Sequence, residues 1–272
     1  MTSKTGGSTP TNNLTPHRRT VIKVNKVTPE DINASLKAGF SDFLSRPFMS
    51  GFFGLFYAVF GILFVWCLVW LEKIWMVIPA AIAFPLIAPF AAAGLYEMSR
   101  RMQKKESFGW PEILTVMARQ RKREMGWMAF VTLFVLWVWF YQFRTVLVIV
   151  LQDSSFSDLS GFLNTVLFTP EGWTFLAIGT CVGAILAAVL FTVTVVAMPM
   201  LLDREVDFVS AMLTSIRVVT ESPRVMLTWA AIISVTVLLS LIPAFLGLIF
   251  TLPILGHTTW HLYRRAVTPI DG

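Results

Sequence analysis

Histidine, cysteine and charge are all scarce in this 272-residue chain. Only three histidines are present, His17, His257 and His261. Two lie four residues apart, on one face of any helix that holds them, so they cannot grip a haem from opposite sides. A multi-metal haem–copper centre needs more imidazoles than the chain owns. The two cysteines, Cys67 and Cys181, each fall inside an apolar run with no CxxC partner and read as small apolar residues. There is no HExxH, no GxSxG, no Walker loop and no GxGxxG after a strand. No catalytic residue, cofactor or metal is therefore assigned, and an enzyme would have to be assembled from scattered residues. Charged residues make up 14% of the chain against 56% hydrophobic ones, and the mean hydropathy is +0.69. That apolar surplus cannot be hidden inside one soluble core of this size. The expected class is an all-α polytopic membrane helix bundle.

Apolar windows of about 20 residues mark membrane spans. Four are plain, from Ser50 to Leu71, Ile74 to Tyr96, Gly126 to Leu151 and Trp173 to Leu202. A fifth block, Val225 to Leu262, is too long for one span and suits a hairpin turning near Pro243, giving six transmembrane helices. The net charge of +6 would suggest an acidic partner on a soluble surface. Here every Lys and Arg except Lys73 and Arg144 falls in the N-terminal region, the 97–125 loop, the 203–224 loop or the C-terminus. The other side carries Glu72, Asp153, Asp158 and Glu171, so both termini are expected in the cytoplasm. Tryptophans fit belts, with Trp66, Trp70, Trp75 and Trp173 outside and Trp127, Trp229 and Trp260 inside. No nucleic-acid partner is needed to explain the charge.

Residues 1–25 read as a disordered cytoplasmic tail, 26–266 as the membrane domain and 267–272 as a C-terminal tail. Inside the membrane domain a pattern recurs. TPEDINASLKAGFSDFLSRP reads as an amphipathic helix with Thr28 as N-cap, Asp31 closing a capping box and Ile32, Leu36, Phe40 and Phe43 on one face. The pattern returns 176 residues later as Phe208, Met212, Ile216, Val219 and Pro223, and more loosely at Pro111, Ile113, Val116 and Met117. The expectation is three units, about 28–107, 108–206 and 207–266, each an interfacial helix followed by a transmembrane hairpin.

The candidate functional residues are Glu97, Arg144, Asp203, His257, His261 and Arg264. Arg144 lies deepest in a span, where an ionisable group hints at a solute path, although its long side chain can snorkel outward. His257, Trp260, His261 and Tyr263 read as an amphipathic collar at the inner interface, bonding headgroups or neighbouring helices. Glu97, Asp203 and Arg264 end the even spans at matched positions, so Arg264 is expected to bridge one or both acids.

The runs Gly94 to Arg100, Ala197 to Glu205 (AMPMLLDRE) and Gly256 to Arg264 resemble a bacterial, mainly proteobacterial, family of six-span membrane proteins with no established function. The resemblance covers everything after about residue 25. Members are sometimes labelled cytochrome c oxidase subunit I, a label implying haem ligands that three histidines cannot provide. It implies a multi-pass inner-membrane protein and supplies no catalytic residues. The leading expectation is a non-enzymatic accessory or organising component contacting lipid and a larger membrane complex or a second copy of the chain. A small-solute or ion transporter and an interfacial lipid-modifying enzyme are its rivals.

Overall fold

Thr28 starts the first long helix as its capping box requires. Its hydroxyl accepts from the Asp31 amide at 3.3 Å, and the Asp31 carboxylate accepts from the Thr28 amide at 3.0 Å. The computed structural model describes residues 22–70, 91–121, 124–151 and 159–269. In chain order these form β1 (Ile22–Val24), α1 (Pro29–Ser45), α2 (Pro47–Trp70), α3 (residues 91–103), α4 (Trp110–Arg121) and α5 (Met125–Leu151). There follow α6 (Leu159–Phe168), α7 (Pro170–Thr194), α8 (Ala197–Asp203), α9 (Phe208–Glu221), α10 (Pro223–Leu241), α11 (Leu248–Ala266) and β2 (Val267–Pro269). Most of the expected second span with Pro79, Pro85 and Pro89, the tail with His17, and the acids Glu72, Asp153 and Asp158 lie outside the described residues.

Among the described residues four helical stretches are long and apolar enough to cross a membrane: Pro47–Trp66, Gly126–Leu151, Pro170–Asp203 and Pro223–Leu241. The block from Val225 to Leu262 breaks where Pro243 stands, with α10 ending at Leu241 and α11 beginning at Leu248. α11 is not among the four, because two histidines, three threonines and two arginines dilute its apolar surface. The expected fourth span is two helices. At residues 195 and 196 the Ser215 hydroxyl donates to the Thr192 carbonyl at 2.7 Å and accepts from the Val196 amide at 3.2 Å, holding the break between α7 and α8.

Three further expectations change. The inner ends of both tails are ordered: Ile22–Val24 pairs antiparallel with Val267–Pro269, joining the two ends of the chain. Each strand is too short to announce itself, and its partner lies more than 240 residues away. The face that α1 buries keeps Ile32 and Phe43, with Leu36 packed against the core, but turns away from Phe40. Ser35 and Gly39 are buried beside Ile32 and Phe43, while Phe40 is 51% exposed. Small residues win because they let helices approach closely: a Cβ on Gly39 would lie 2.6 Å from the Thr258 backbone nitrogen of α11. Finally, Trp229 and Trp260 are fully buried in the main core rather than facing headgroups, whereas Trp66, Trp127 and Trp173 are exposed. The short α6 was not expected, and it packs with the ends of α5 and α7 through Phe162, Val166 and Phe175.

Candidate functional site

Close packing of α1, α2 and α3 around α11 draws seven polar side chains into one chain of hydrogen bonds. Gly39 seats α1 on α11, and Gly54 seats α2 on it, since a Cβ there would lie 2.6 Å from the Ile249 Cα. His257 is fully buried, with Nε2 3.0 Å from the Ser50 hydroxyl and Nδ1 2.7 Å from the Ser99 hydroxyl. Ser99 donates to Asp42 Oδ2 at 2.6 Å, and His261 Nε2 meets the same oxygen at 2.8 Å. His261 Nδ1 lies 3.0 Å from the Gln103 amide nitrogen, and the Trp260 indole donates to Gln103 Oε1 at 3.1 Å. Both nitrogens of both rings are thus within hydrogen-bond distance of protein groups.

Of the two partners expected for the collar, headgroups or neighbouring helices, these side chains take neighbouring helices. His257, Trp260 and Tyr263 are core residues that bond other helices, and only Arg264 and Arg265 at the end of α11 are exposed. The i,i+4 spacing identifies the shared helix face but not what that face meets.

The three matched positions divide into two clusters. Glu97 is fully buried and held by its own helix, with Arg100 Nε at 2.7 Å and Arg101 Nε at 2.6 Å. Burial pushes its pKa up, but hydrogen bonds and charge from the two guanidinium groups outweigh that, leaving the carboxyl below its ordinary range. Arg264 does not bond Glu97. It reaches Asp203 at 3.0 Å, where Tyr263 also donates at 2.8 Å. Arg100 lies between the clusters: its pKa is raised first by the hydrogen bond to Glu97 and further by the charges of Glu97, Asp203 and Glu106. The i+3 and i+4 arginines after Glu97 were visible in the run EMSRR, and they satisfy the acid locally before a distant base can. Arg144 stands exposed on α5. Among the described residues no hydrogen bond or ion pair joins Glu97 or Asp203 to either histidine. Ser50, Ser99, Asp42 and Gln103 carry the site; Ser99 stood inside the run Gly94 to Arg100, and no sequence motif marked the other three.

A bundle whose long helices expose aromatic and aliphatic side chains along their length defines an integral membrane protein. The comparisons agree. Residues 76–203 match the family model described as Predicted integral membrane protein (DUF2189), which includes the stretch Gly94 to Arg100 and the part of the second stretch from Ala197 to Asp203. The histidine stretch lies outside the match. No curated protein and no solved structure matches the chain.

Proposed function

We propose that this chain is a non-enzymatic organising component of the bacterial inner membrane, with both termini in the cytoplasm and three interfacial-helix-plus-hairpin units. One observation carries the reading. Each interfacial helix packs on the bundle by one face and turns large apolar side chains outward by another: Phe40 and Leu44 on α1, Trp110 and Leu114 on α4, Val209 and Leu213 on α9. Such helices suit the headgroup–acyl boundary, with lipid as their partner.

The unit scheme has its own support. Ser35, Gly39 and Phe43, buried in α1, recur 176 residues later as Ala211, Ser215 and Val219, buried in α9. Both helices end on a residue of the same conformation, Arg46 at φ −142° and ψ 59° and Ser222 at φ −136° and ψ 56°, and each is followed by a proline opening the next helix. α1 packs on α11, α9 packs on α7 and α8, and α4 sends Ile113 and Met117 against Leu95 and Met98 of α3. In each case an interfacial helix covers the second arm of another unit, as a closed ring of three requires.

Extraction in native lipid nanodiscs, followed by mass spectrometry of bound lipid and protein, tests the reading. Reproducible co-isolation of one protein complex or lipid class is expected, and chain-dependent solute flux in proteoliposomes would overturn it. A transporter is the second reading, favoured by the hydrogen-bonded path from Asp42 through Ser99 and His257 to Ser50, and the same flux assay decides between them.

A further inference from the structure

The end of α1 and the turn after α3 border an open hollow of about 470 Å³ that the polar chain does not use up. Its wall includes Asp42, Arg46, Gln103, Lys105, Glu106 and Phe108. Arg46 lies over the Phe108 ring at 5.1 Å, and among the described residues neither Arg46 nor Lys105 belongs to an ion pair. Both bonds to Asp42 fall on Oδ2. The pocket therefore presents two cations and two carboxylates at the level where a candidate span begins, at Pro47.

Lys105 occupies a position that asks for glycine. α3 ends in a Schellman turn, with the Lys105 amide donating to the Met102 carbonyl at 3.1 Å and the Glu106 amide to the Arg101 carbonyl at 3.0 Å. The residue at its left-handed corner has φ 55°, a region where a side chain is disfavoured. A lysine here keeps a cation at the pocket against its backbone preference.

An apolar track leads away from the same corner. Phe48, directly after Arg46 and Pro47, is 94% exposed, and Phe52, Leu55, Phe56 and Val59 continue the exposed stripe down α2. Trp110 of α4 stands against Phe52 with ring centroids 4.9 Å apart. From Phe48 to Val59 the helix rises about 16 Å, roughly one leaflet of a hydrocarbon core of about 30 Å.

We propose that this corner binds one zwitterionic aminophospholipid. Its phosphate meets Arg46 and Lys105, its ammonium meets Glu106 and the free side of Asp42, and its acyl chains follow the Phe48–Val59 stripe. A phosphate site alone would gather cations only. Paired signs fit a headgroup that carries phosphate and ammonium a few atoms apart.

The proposal rests on the membrane reading above, and alkaline extraction of each variant reports integration separately from lipid binding. The test is native mass spectrometry of delipidated full-length protein given phosphatidylethanolamine or phosphatidylglycerol of matched chains, with inorganic phosphate as competitor. Wild type should retain one phosphatidylethanolamine, prefer it about tenfold, and keep it in the presence of free phosphate. Lys105→Gly relaxes the backbone while removing the cation, so it should unfold no earlier than wild type yet lose about tenfold in lipid binding. Glu106→Gln should abolish the preference for the ethanolamine headgroup. No lipid retained by wild type, a preference for phosphatidylglycerol, displacement by free phosphate, or unaltered binding in Lys105→Gly would overturn the assignment.

Discussion

Trp260 decides which nitrogen of His261 carries the proton, and Asp42 decides it for His257. An indole can only donate, so Gln103 must turn its oxygen to Trp260 and its amide nitrogen to His261 Nδ1. That nitrogen then accepts, which leaves His261 Nε2–H to donate to Asp42. Ser99 also donates to Asp42, so its oxygen accepts from His257 Nδ1–H, and His257 Nε2 accepts from Ser50. Nitrogen-15 NMR of the labelled imidazoles should therefore find His257 protonated at Nδ1 and His261 at Nε2. The opposite pair of tautomers would break the scheme. His257→Ala leaves the buried Ser50 hydroxyl without its acceptor, while Ser99 keeps its bond to Asp42, and should destabilise the protein by about 1–3 kcal/mol, read as a lower unfolding temperature in detergent. Glu97 supplies a pH test. Because its folded pKa lies below the ordinary value, its stabilisation is full above the unfolded pKa and is lost as pH falls through the folded one. The unfolding midpoint should drop below about pH 4.5, and Glu97→Gln should flatten that drop. The i,i+4 histidines were legible in the sequence, but their burial was not. A polar pair at the end of an apolar helix looks the same whether it faces headgroups or a neighbouring helix, and only the serines and Asp42, far away in the chain, decide.

At the scale of elements, close approach rather than apolar area fixes which faces meet. The capping box of α1, the proline-opened helices and the turn near Pro243 could be read locally, because each depends on residues within a few positions of one another. The inward face of α1 could only in part, since Ser35 and Gly39 are buried for their size while Phe40 is left outside. Gly39→Leu should therefore push α1 off the Thr258 backbone and cost about 1–3 kcal/mol. Phe40→Leu, on the outward face, should leave the unfolding temperature nearly unchanged. Of the two bridges open to Arg264, the one to Asp203 forms and the one to Glu97 does not. Arg264 pairs with Asp203 at 3.0 Å and is 44% exposed as a side chain, so the pair should contribute only about 0–1 kcal/mol. Exchanging the charges, Asp203→Arg with Arg264→Asp, should recover part of the loss caused by either change alone. A Glu97→Arg change should gain nothing from Arg264→Glu, because Arg100 and Arg101 hold Glu97.

At the scale of the molecule, the two ends of the chain are bound to each other, and that constrains every crossing between them. Ile22 stands opposite Pro269, and Val24 stands opposite Val267. The Asn25 amide donates to the Ala266 carbonyl at 2.8 Å, and its side chain donates to the Arg265 carbonyl at 3.0 Å. A ladder of this kind cannot form across a bilayer, because unpaired strand edges are not tolerated in hydrocarbon. The proposed topology meets that condition, with both ends on one side and an even number of crossings. The proposed side is the cytoplasm, because Lys23 in the ladder and Lys26, Arg264 and Arg265 beside it are the basic residues the positive-inside rule counts. Reporter fusions before Ile22 and after Arg265, Lys105 and Arg217 should all report the cytoplasm, and a fusion after Ser157 should report the opposite side. The ladder adds a stricter test than topology alone. Cysteines replacing Lys23 and Thr268, an opposed pair in the register, should form a disulfide under mild oxidation in membranes, with Cys67 and Cys181 replaced beforehand. Reporters on opposite sides for the two ends would make the crossing count odd, and the ladder and the closed ring of three units would fall with it.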